Sequence, residues 1–226
     1  MGSGNPNSAR DKLKLAIVNY GMGNLTSVQC ALDRLGMPST ITSKPEDLDT
    51  ADALILPGVG AFGKAMENLE SHKLISALKK QTLDKKKPLL GICLGMQLLA
   101  ESSSEMGSHK GLSFVKGTVE RLNVASHHLP VPHVGWNNVF FTRPTIFSER
   151  LNLESHFYFD HSFHFVTSKD NVLMEVDYGD KVVAGVINDN IVGFQFHPEK
   201  SHVAGLKLLR NFLRFAEART GAKPSC

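Results

Sequence analysis

The sequence predicts an α/β fold: a central mixed, largely parallel sheet flanked by helices. Three observations predict it. In the first half of the chain, short apolar runs ending in glycine turns alternate with stretches of helical period, as in right-handed βαβ units. After Gly111 the texture changes to short strand-like runs separated by turn residues, a meander-like region. The chain then closes with one amphipathic stretch, "HVAGLKLLRNFLRFAEA", in which Val203, Leu206, Leu209, Phe212 and Leu213 recur at helical spacing.

Each element follows from its residues. "KLKLAIVNYG" reads as a strand ending in a glycine turn, and "NLTSVQCALDRLG" as a helix. That helix places Leu25, Val28, Leu32 and Leu35 on one face and Gly36 at its C-cap. "ADALILPGVG" is a second buried strand, followed by a long helical stretch from Lys64 to about Lys85 that carries Met66, Leu69, Leu74, Ile75 and Leu78. "PLLGI" is the next strand and "LGMQLLAES" the next helix. "VKGTVERL", "NNVFFT", "HFYFDHSFHFVTS", "VLMEVDYG", "KVVAGVIND" and "NIVGFQFH" are the short strands of the second half. No repeat, low-complexity linker or composition break interrupts the run, so residues 13–220 are expected to form one domain. Residues 1–12 read as a flexible leader and 221–226 as a tail.

Composition narrows the function. Of 226 residues, 42% are hydrophobic and 21% charged, and 25 Lys and Arg nearly balance 22 Asp and Glu, so no nucleic-acid surface is indicated. Three widely spaced cysteines, Cys30, Cys93 and Cys226, argue against a disulfide framework and suit the reducing cytoplasm. No stretch reaches the roughly 18 to 20 apolar residues of a membrane span. "HHLP" and "HSFH" lack the ligand spacing of a zinc site, so no metal is expected.

The chemistry starts in "KPLLGICLGMQLLAES". The apolar run up to Ile92 has strand character, the residues from Leu94 onward have helical period, and Cys93 sits at the joint between Gly91 and Gly95. This is the cysteine form of a nucleophile elbow: a sharp strand-to-helix turn lifts the side chain into the cleft at the sheet's carboxyl edge. The helix that follows presents N–H donors and its positive end, which favours a thiolate. Cys30, mid-helix, and Cys226, at the tail, have no such setting.

A cysteine nucleophile needs a base, and the base an orienting group. His197 precedes Pro198, which biases it toward extended backbone, so His197 and Glu199 fall on one side of the chain. "LILPGVGAFG" ends a strand expected beside that of Cys93. Gly58 and Gly60 bracket Val59 and free its N–H to face a developing oxyanion, with the N–H of Leu94 as second donor. "YGMGN" lacks the third glycine of a dinucleotide-binding turn.

"GICLGMQ", "FHPEKS" and "PGVGAF" together resemble the class I, triad-type, glutamine amidotransferases. "NYGMGNL", "PHVGWN", "FYFDHSF" and "EKS…GLKLLRNF" are similar to the glutaminase subunits of imidazole glycerol phosphate synthase, over about Leu13 to Ala218. The resemblance implies a flavodoxin-like three-layer fold and no metal or organic cofactor. It implies that Cys93 attacks the side-chain amide of glutamine while His197 moves protons and Glu199 orients it. Gln97 and Glu105 match positions holding the substrate's carboxylate and amino ends, and Gly58, Gly60 and the backbone of His161 and Ser162 match its pocket. Trp136, Asn137, Tyr158 and Lys200 match a face against a (βα)8-barrel cyclase that receives ammonia, in a heterodimer of histidine biosynthesis.

Three departures from the family pattern stand out: Asn19 for aspartate, Asp160 for an apolar residue and Phe163 for tyrosine. None touches the triad. The last two border the expected partner face and leave open a relative that feeds ammonia to a surface-polysaccharide sugar amidotransferase. The readings from other classes are a free-standing cysteine hydrolase and a non-catalytic binding protein. The first needs a pocket open to bulky substrates, and the second is at odds with an intact triad.

Overall fold

A computed structural model describes residues 12–151 and 155–222, so most of the expected leader and the last four residues of the tail lie outside the described residues. In chain order the first half contains β1 (Leu15–Val18), α1 (Leu25–Arg34), β2 (Ser39–Thr42), α2 (Asp47–Thr50), β3 (Ala53–Gly58), α3 (Phe62–Ser71), α4 (Leu74–Lys79), β4 (Leu89–Cys93) and α5 (Leu94–Gln97). Then come β5 (Ser102–Ser103), β6 (His109–Lys110), β7 (Thr118–Arg121), β8 (His133–Asn138) and β9 (Phe140–Phe141). The chain continues through β10 (His156–His161), β11 (Phe163–Val166), β12 (Val172–Tyr178), β13 (Asp180–Asn188), β14 (Ile191–Phe194) and α6 (His202–Thr220).

The main sheet runs β2-β1-β3-β4-β14-β13-β11-β7-β5-β6, with β12 and β9 attached beside β13. Its first five strands are mutually parallel and the strands from β13 onward bring in antiparallel pairs. Alternation along the strands separates two cores. Leu15 and Ile17 of β1 pack with Val28, Leu32, Leu209 and Phe212 from α1 and α6. Ala16 and Val18 pack on the other side with Phe62, Leu69, Leu74 and Leu78 from α3 and α4. The sheet is therefore the middle of three layers. A helix of six residues such as α4 has no stability alone, so burial of Leu74 and Leu78 holds it in place.

Local signals set the element ends. Asn24 caps α1 by accepting a hydrogen bond from the Ser27 N–H, and Gly36, at φ +72°, turns the chain so that Gly36 and Met37 N–H groups bond to Asp33 and Leu32 carbonyls.

Several expectations need correction. The helix expected from Lys64 to Lys85 is broken: Ser71 Oγ and His72 Nδ1 both turn back on the Asn68 carbonyl, Lys73 adopts φ +56°, and a π turn spans Lys80–Asp84. The helix of "LGMQLLAES" ends after little more than one turn. Its Leu98, Leu99 and Ala100 carbonyls accept instead from the N–H groups of Leu112, Ser113, Phe114 and Val115. "HFYFDHSFHFVTS" is two strands, β10 in a separate ribbon with β8 and β11 in the main sheet. The strand of "NIVGFQFH" stops at Phe194, because the chain leaves β4 there to carry His197 over the cleft. "NNVFFT" is divided: Asn137 and Asn138 close β8, and Phe140–Phe141 form β9 on β12. β2, α2, β5, β6 and the first four residues of β8 were not expected at all.

Candidate active site

β4 lies between β3 and β14, and Gly58 is in register with Cys93, so the expected neighbour of the nucleophile strand is in place. Cys93 takes φ +53° and ψ −111°, a conformation that L residues avoid and that marks the sharp elbow. The glycines around it make room. A Cβ on Gly95 would lie 1.7 Å from the Leu56 carbonyl oxygen, and one on Gly91 would lie 2.7 Å from that of Gly95.

Cys93 is buried, with 6% of its surface exposed. His197 reaches it from the other side of the cleft on backbone that is extended (φ −100°, ψ 93°) and fixed at both ends. Its N–H donates to the Tyr158 carbonyl at 2.9 Å and its carbonyl accepts from Ser201 Oγ at 2.6 Å. His197 Nδ1 pairs with Glu199 Oε1 at 2.8 Å, both side chains almost fully buried, which leaves Nε2 for the thiol. Burial alone would lower the His197 pKa. Hydrogen bonds with Cys93 and Glu199, and the charges of those two groups, outweigh it and push the value up to about 10. Facing a thiolate and held by Glu199, the imidazole favours its protonated form, and that proton can be delivered to a leaving group.

A cavity of about 270 Å³ opens onto the sulfur. Val59, Gly60, Leu94, Gln97, Glu105, His161 and Ser162 line it with Cys93 and His197, and so do Asp160, Phe163 and Pro132. Its size suits a single amino acid. Gln97 Nε2 donates to the Phe163 carbonyl at 2.9 Å and to Gln195 Oε1 at 3.0 Å. Glu105 Oε2 accepts from the Phe62 N–H at 2.7 Å, so the same carboxylate that borders the cavity also caps α3. Val59 is exposed at the mouth, and Gly60 has φ +107°, which lets the loop turn there. Gly58 does not line the cavity. It lies behind the loop against Tyr20, whose hydroxyl would be 2.3 Å from an added Cβ.

The two departures nearest the substrate contribute backbone. The Asp160 carbonyl lies 3.9 Å from the Cys93 thiol, which donates to it, and the Phe163 carbonyl receives Gln97. Changing those side chains leaves both contacts available.

Three of the four expected partner residues form one patch. Trp136 meets Tyr158 edge-on, with ring centroids 5.8 Å apart, and Lys200 Nζ lies 5.3 Å over the Tyr158 ring. His202, which the sequence did not single out, stacks flat on Trp136 at 4.9 Å. Asn137 does not join them: its side chain donates to the Asp177 carbonyl at 3.0 Å, on the opposite face of the β8–β10 ribbon.

Sequence reasoning also missed a buried histidine pair. His133 and His161 are opposite one another on β8 and β10, with His133 Nδ1 3.2 Å from His161 Nε2. His161 Nδ1 must donate to the Phe163 carbonyl at 2.8 Å, so its Nε2 accepts from His133. Desolvation lowers both pKa values, to about 4 for His133 and about 3 for His161. The unfolded chain binds protons at these histidines below about pH 6.5 while the folded chain does not. Stability is therefore present above pH 6.5 and lost as pH falls toward 4, by on the order of 2 to 4 kcal/mol between pH 7 and 5. Thermal melts at those two pH values check this; an unchanged melting temperature would contradict it.

The Tyr20 hydroxyl is buried and has no hydrogen-bond partner among the described residues. Desolvation, with a smaller contribution from Cys93, raises its pKa. Tyr20→Phe should stabilise the protein by about 1 kcal/mol, since an unsatisfied buried hydroxyl is removed, and denaturant unfolding measures it. Among the described residues no three or more His, Cys, Asp or Glu side chains are grouped to hold a metal ion, and no helix is long and apolar enough to cross a membrane.

The fold and this site place the chain among the class I glutamine amidotransferases: the family described as "Glutamine amidotransferase class-I" matches residues 11–215. Within it the chain belongs to the HisH subunits of imidazole glycerol phosphate synthase. It is 45% identical to "Imidazole glycerol phosphate synthase subunit HisH" of Aquifex aeolicus, over 92% of this chain and 100% of that one. It is 44% identical to HisH 2 of Methanococcus maripaludis, over 89% and 100% of the two chains. Among solved structures, a glutamine amidotransferase superimposes with a TM-score of 0.70 at 22% identity, covering 89% of this chain and 98% of that one. PurLQS from Thermotoga maritima gives 0.69 at 21%, over 90% and 99%. These two likenesses show the fold alone.

Proposed function

We propose that the chain hydrolyses glutamine through a Cys93 thioester and passes the ammonia to a (βα)8-barrel cyclase, for the synthesis of imidazole glycerol phosphate in histidine biosynthesis. The observation that carries this reading is the buried Cys93–His197–Glu199 row facing an amino-acid-sized cavity. The Cys93 thiolate attacks the side-chain carbonyl of glutamine and an S–C bond forms. His197, protonated and held by Glu199, gives its proton to the amide nitrogen, and the C–N bond breaks to release ammonia. Water then loses a proton to His197 and attacks the thioester, freeing glutamate and returning the thiol. The N–H groups of Val59 and Leu94 are the donors for the negative oxygen formed in both steps. Gln97 and Glu105 hold the amino-acid end of the substrate, and Gly60, His161 and Ser162 its walls.

The patch of Trp136, Tyr158 and Lys200 is the face offered to the cyclase, with Asn137 behind it. The reaction needs no metal or organic cofactor, and we place it in the cytoplasm.

Glutamate release from glutamine, measured with and without a histidine-pathway cyclase barrel and its nucleotide ligand, tests the assignment. Stimulation of at least about a hundredfold by the loaded barrel is expected, an allosteric coupling at the upper end of the usual range. No stimulation, from a chain whose Cys93 still reacts with a glutamine analogue, would point to a different ammonia acceptor, such as a sugar amidotransferase.

A further inference from the structure

The structure assigns a catalytic part to Gln195: its side-chain amide donates to the Cys93 sulfur and, with its other end, holds Gln97 in the substrate cavity. Gln195 is fully buried, just past the end of β14. A long polar side chain in that position is placed there against the cost of desolvation, so its partners matter. Both ends of the amide have one. Gln97 Nε2 donates to Gln195 Oε1 at 3.0 Å, and Gln195 Nε2 lies 3.9 Å from Cys93 Sγ, within hydrogen-bonding reach of a sulfur acceptor.

The direction of this chain is fixed by one atom. The Phe163 carbonyl oxygen can only accept, so the group of Gln97 that meets it at 2.9 Å is the NH2. The same NH2 meets Gln195, which must present its oxygen. Gln195 then has only its own NH2 to turn toward the sulfur. The two amide orientations therefore follow from a backbone carbonyl and are not free to flip. His161 Nδ1 donates to that carbonyl as well, so the wall of the cavity and the nucleophile are tied to the same oxygen.

An N–H aimed at sulfur favours the thiolate, which accepts more strongly than the thiol. It also holds the sulfur opposite Asp160, whose carbonyl prefers the thiol as donor at 3.9 Å. Gln195 thus weights the nucleophile toward its reactive form and links that form to the residue that grips the substrate. The inference rests on Cys93 being the nucleophile, as proposed above. A Cys93→Ala chain that still released glutamate would overturn that reading, whereas the experiment below addresses Gln195 alone.

The test is the rate of iodoacetamide alkylation against pH, followed at Cys93 by peptide mass analysis so that exposed Cys30 does not contribute. Gln195→Glu keeps the shape and the acceptor toward Gln97 but turns the group facing sulfur into an acceptor. Gln195→Met keeps the volume and removes both contacts. Alkylation at pH 7 should fall about tenfold in each, with the inflection of the profile moved to higher pH. Protection by glutamine should then separate them: half-protection near the unsubstituted concentration for Gln195→Glu, and severalfold higher for Gln195→Met. Profiles that coincide with the unsubstituted chain in variants with native near-UV circular dichroism would overturn the assignment. If neither variant folds, Gln97→Met decides: it frees Gln195 to rotate and should lower alkylation, and an unchanged profile would again overturn it.

Discussion

Cys93→Ala is expected to reduce glutamate release by at least about four orders of magnitude, measured in the presence of the loaded cyclase. The expectation is this large because Cys93 is the one thiol among the described residues that line the cavity. Ser162 lines it, but on the wall formed where β10 passes into β11, and the base pair of His197 and Glu199 is aimed at the sulfur. Oxyanion donors and substrate contacts would survive in the variant and would leave only the residual rate that positioning alone provides. Alanine keeps the Cβ, so the elbow at φ +53° is no more strained than before, and the fold should persist. Binding of the proposed cyclase partner should persist as well, because Trp136, Tyr158, Lys200 and His202 pack on one another and Tyr158 is fixed by Ser201 Oγ, contacts that the substitution leaves in place. A folded Cys93→Ala protein with retained turnover would sink the thioester mechanism.

The residues that could be read in the sequence are those whose neighbours in the chain fix their geometry. The period change at Cys93 locates the elbow, and Gly91 and Gly95 are needed there by contacts close by in the chain and with the adjoining strand. Pro198 holds His197 extended, so the pairing with Glu199 two residues on is local. Tertiary contacts decide the rest. Gln195 reads as one more residue of an apolar strand until Gln97 and Cys93, about a hundred positions earlier, are seen beside it. His133 and His161 meet only through the antiparallel register of β8 and β10. The break at Lys73 is invisible to hydrophobic period, since Leu74 and Leu78 remain buried on the same face after the helix restarts. The early end of α5 depends on N–H groups supplied by Leu112 to Val115, which compete successfully for carbonyls that a longer helix would use. The sheet's parallel half was legible because each βα unit advertises itself; the β8–β10 ribbon was not, because β8 ends inside "NNVFFT" and its first four residues carry no strand pattern, while β10 looks like one more member of the meander.

Gly95→Ala should be among the most damaging glycine substitutions in the described chain, with a loss of more than about 4 kcal/mol. The reason is space and not backbone freedom, for Gly95 is absent from the residues at positive φ. Its Cβ would sit 1.7 Å from the Leu56 carbonyl oxygen and 2.8 Å from the Leu56 carbonyl carbon. Leu56 cannot retreat, because it is a fully buried residue of β3 in register with Gly91 of β4. Relief has to come from α5 moving off the sheet, and that motion would carry Leu94 N–H and Gln97 away from the sulfur. Gly36→Ala is the contrasting case: nothing lies within 4 Å of an added Cβ there, but φ is +72°, so the loss should stay near ~1 kcal/mol, from backbone strain alone. Urea unfolding of the two variants side by side separates steric exclusion from conformational strain. A loss at Gly95 no greater than that at Gly36 would mean that α5 can lift from β3 cheaply, and that the elbow is held by something other than this contact.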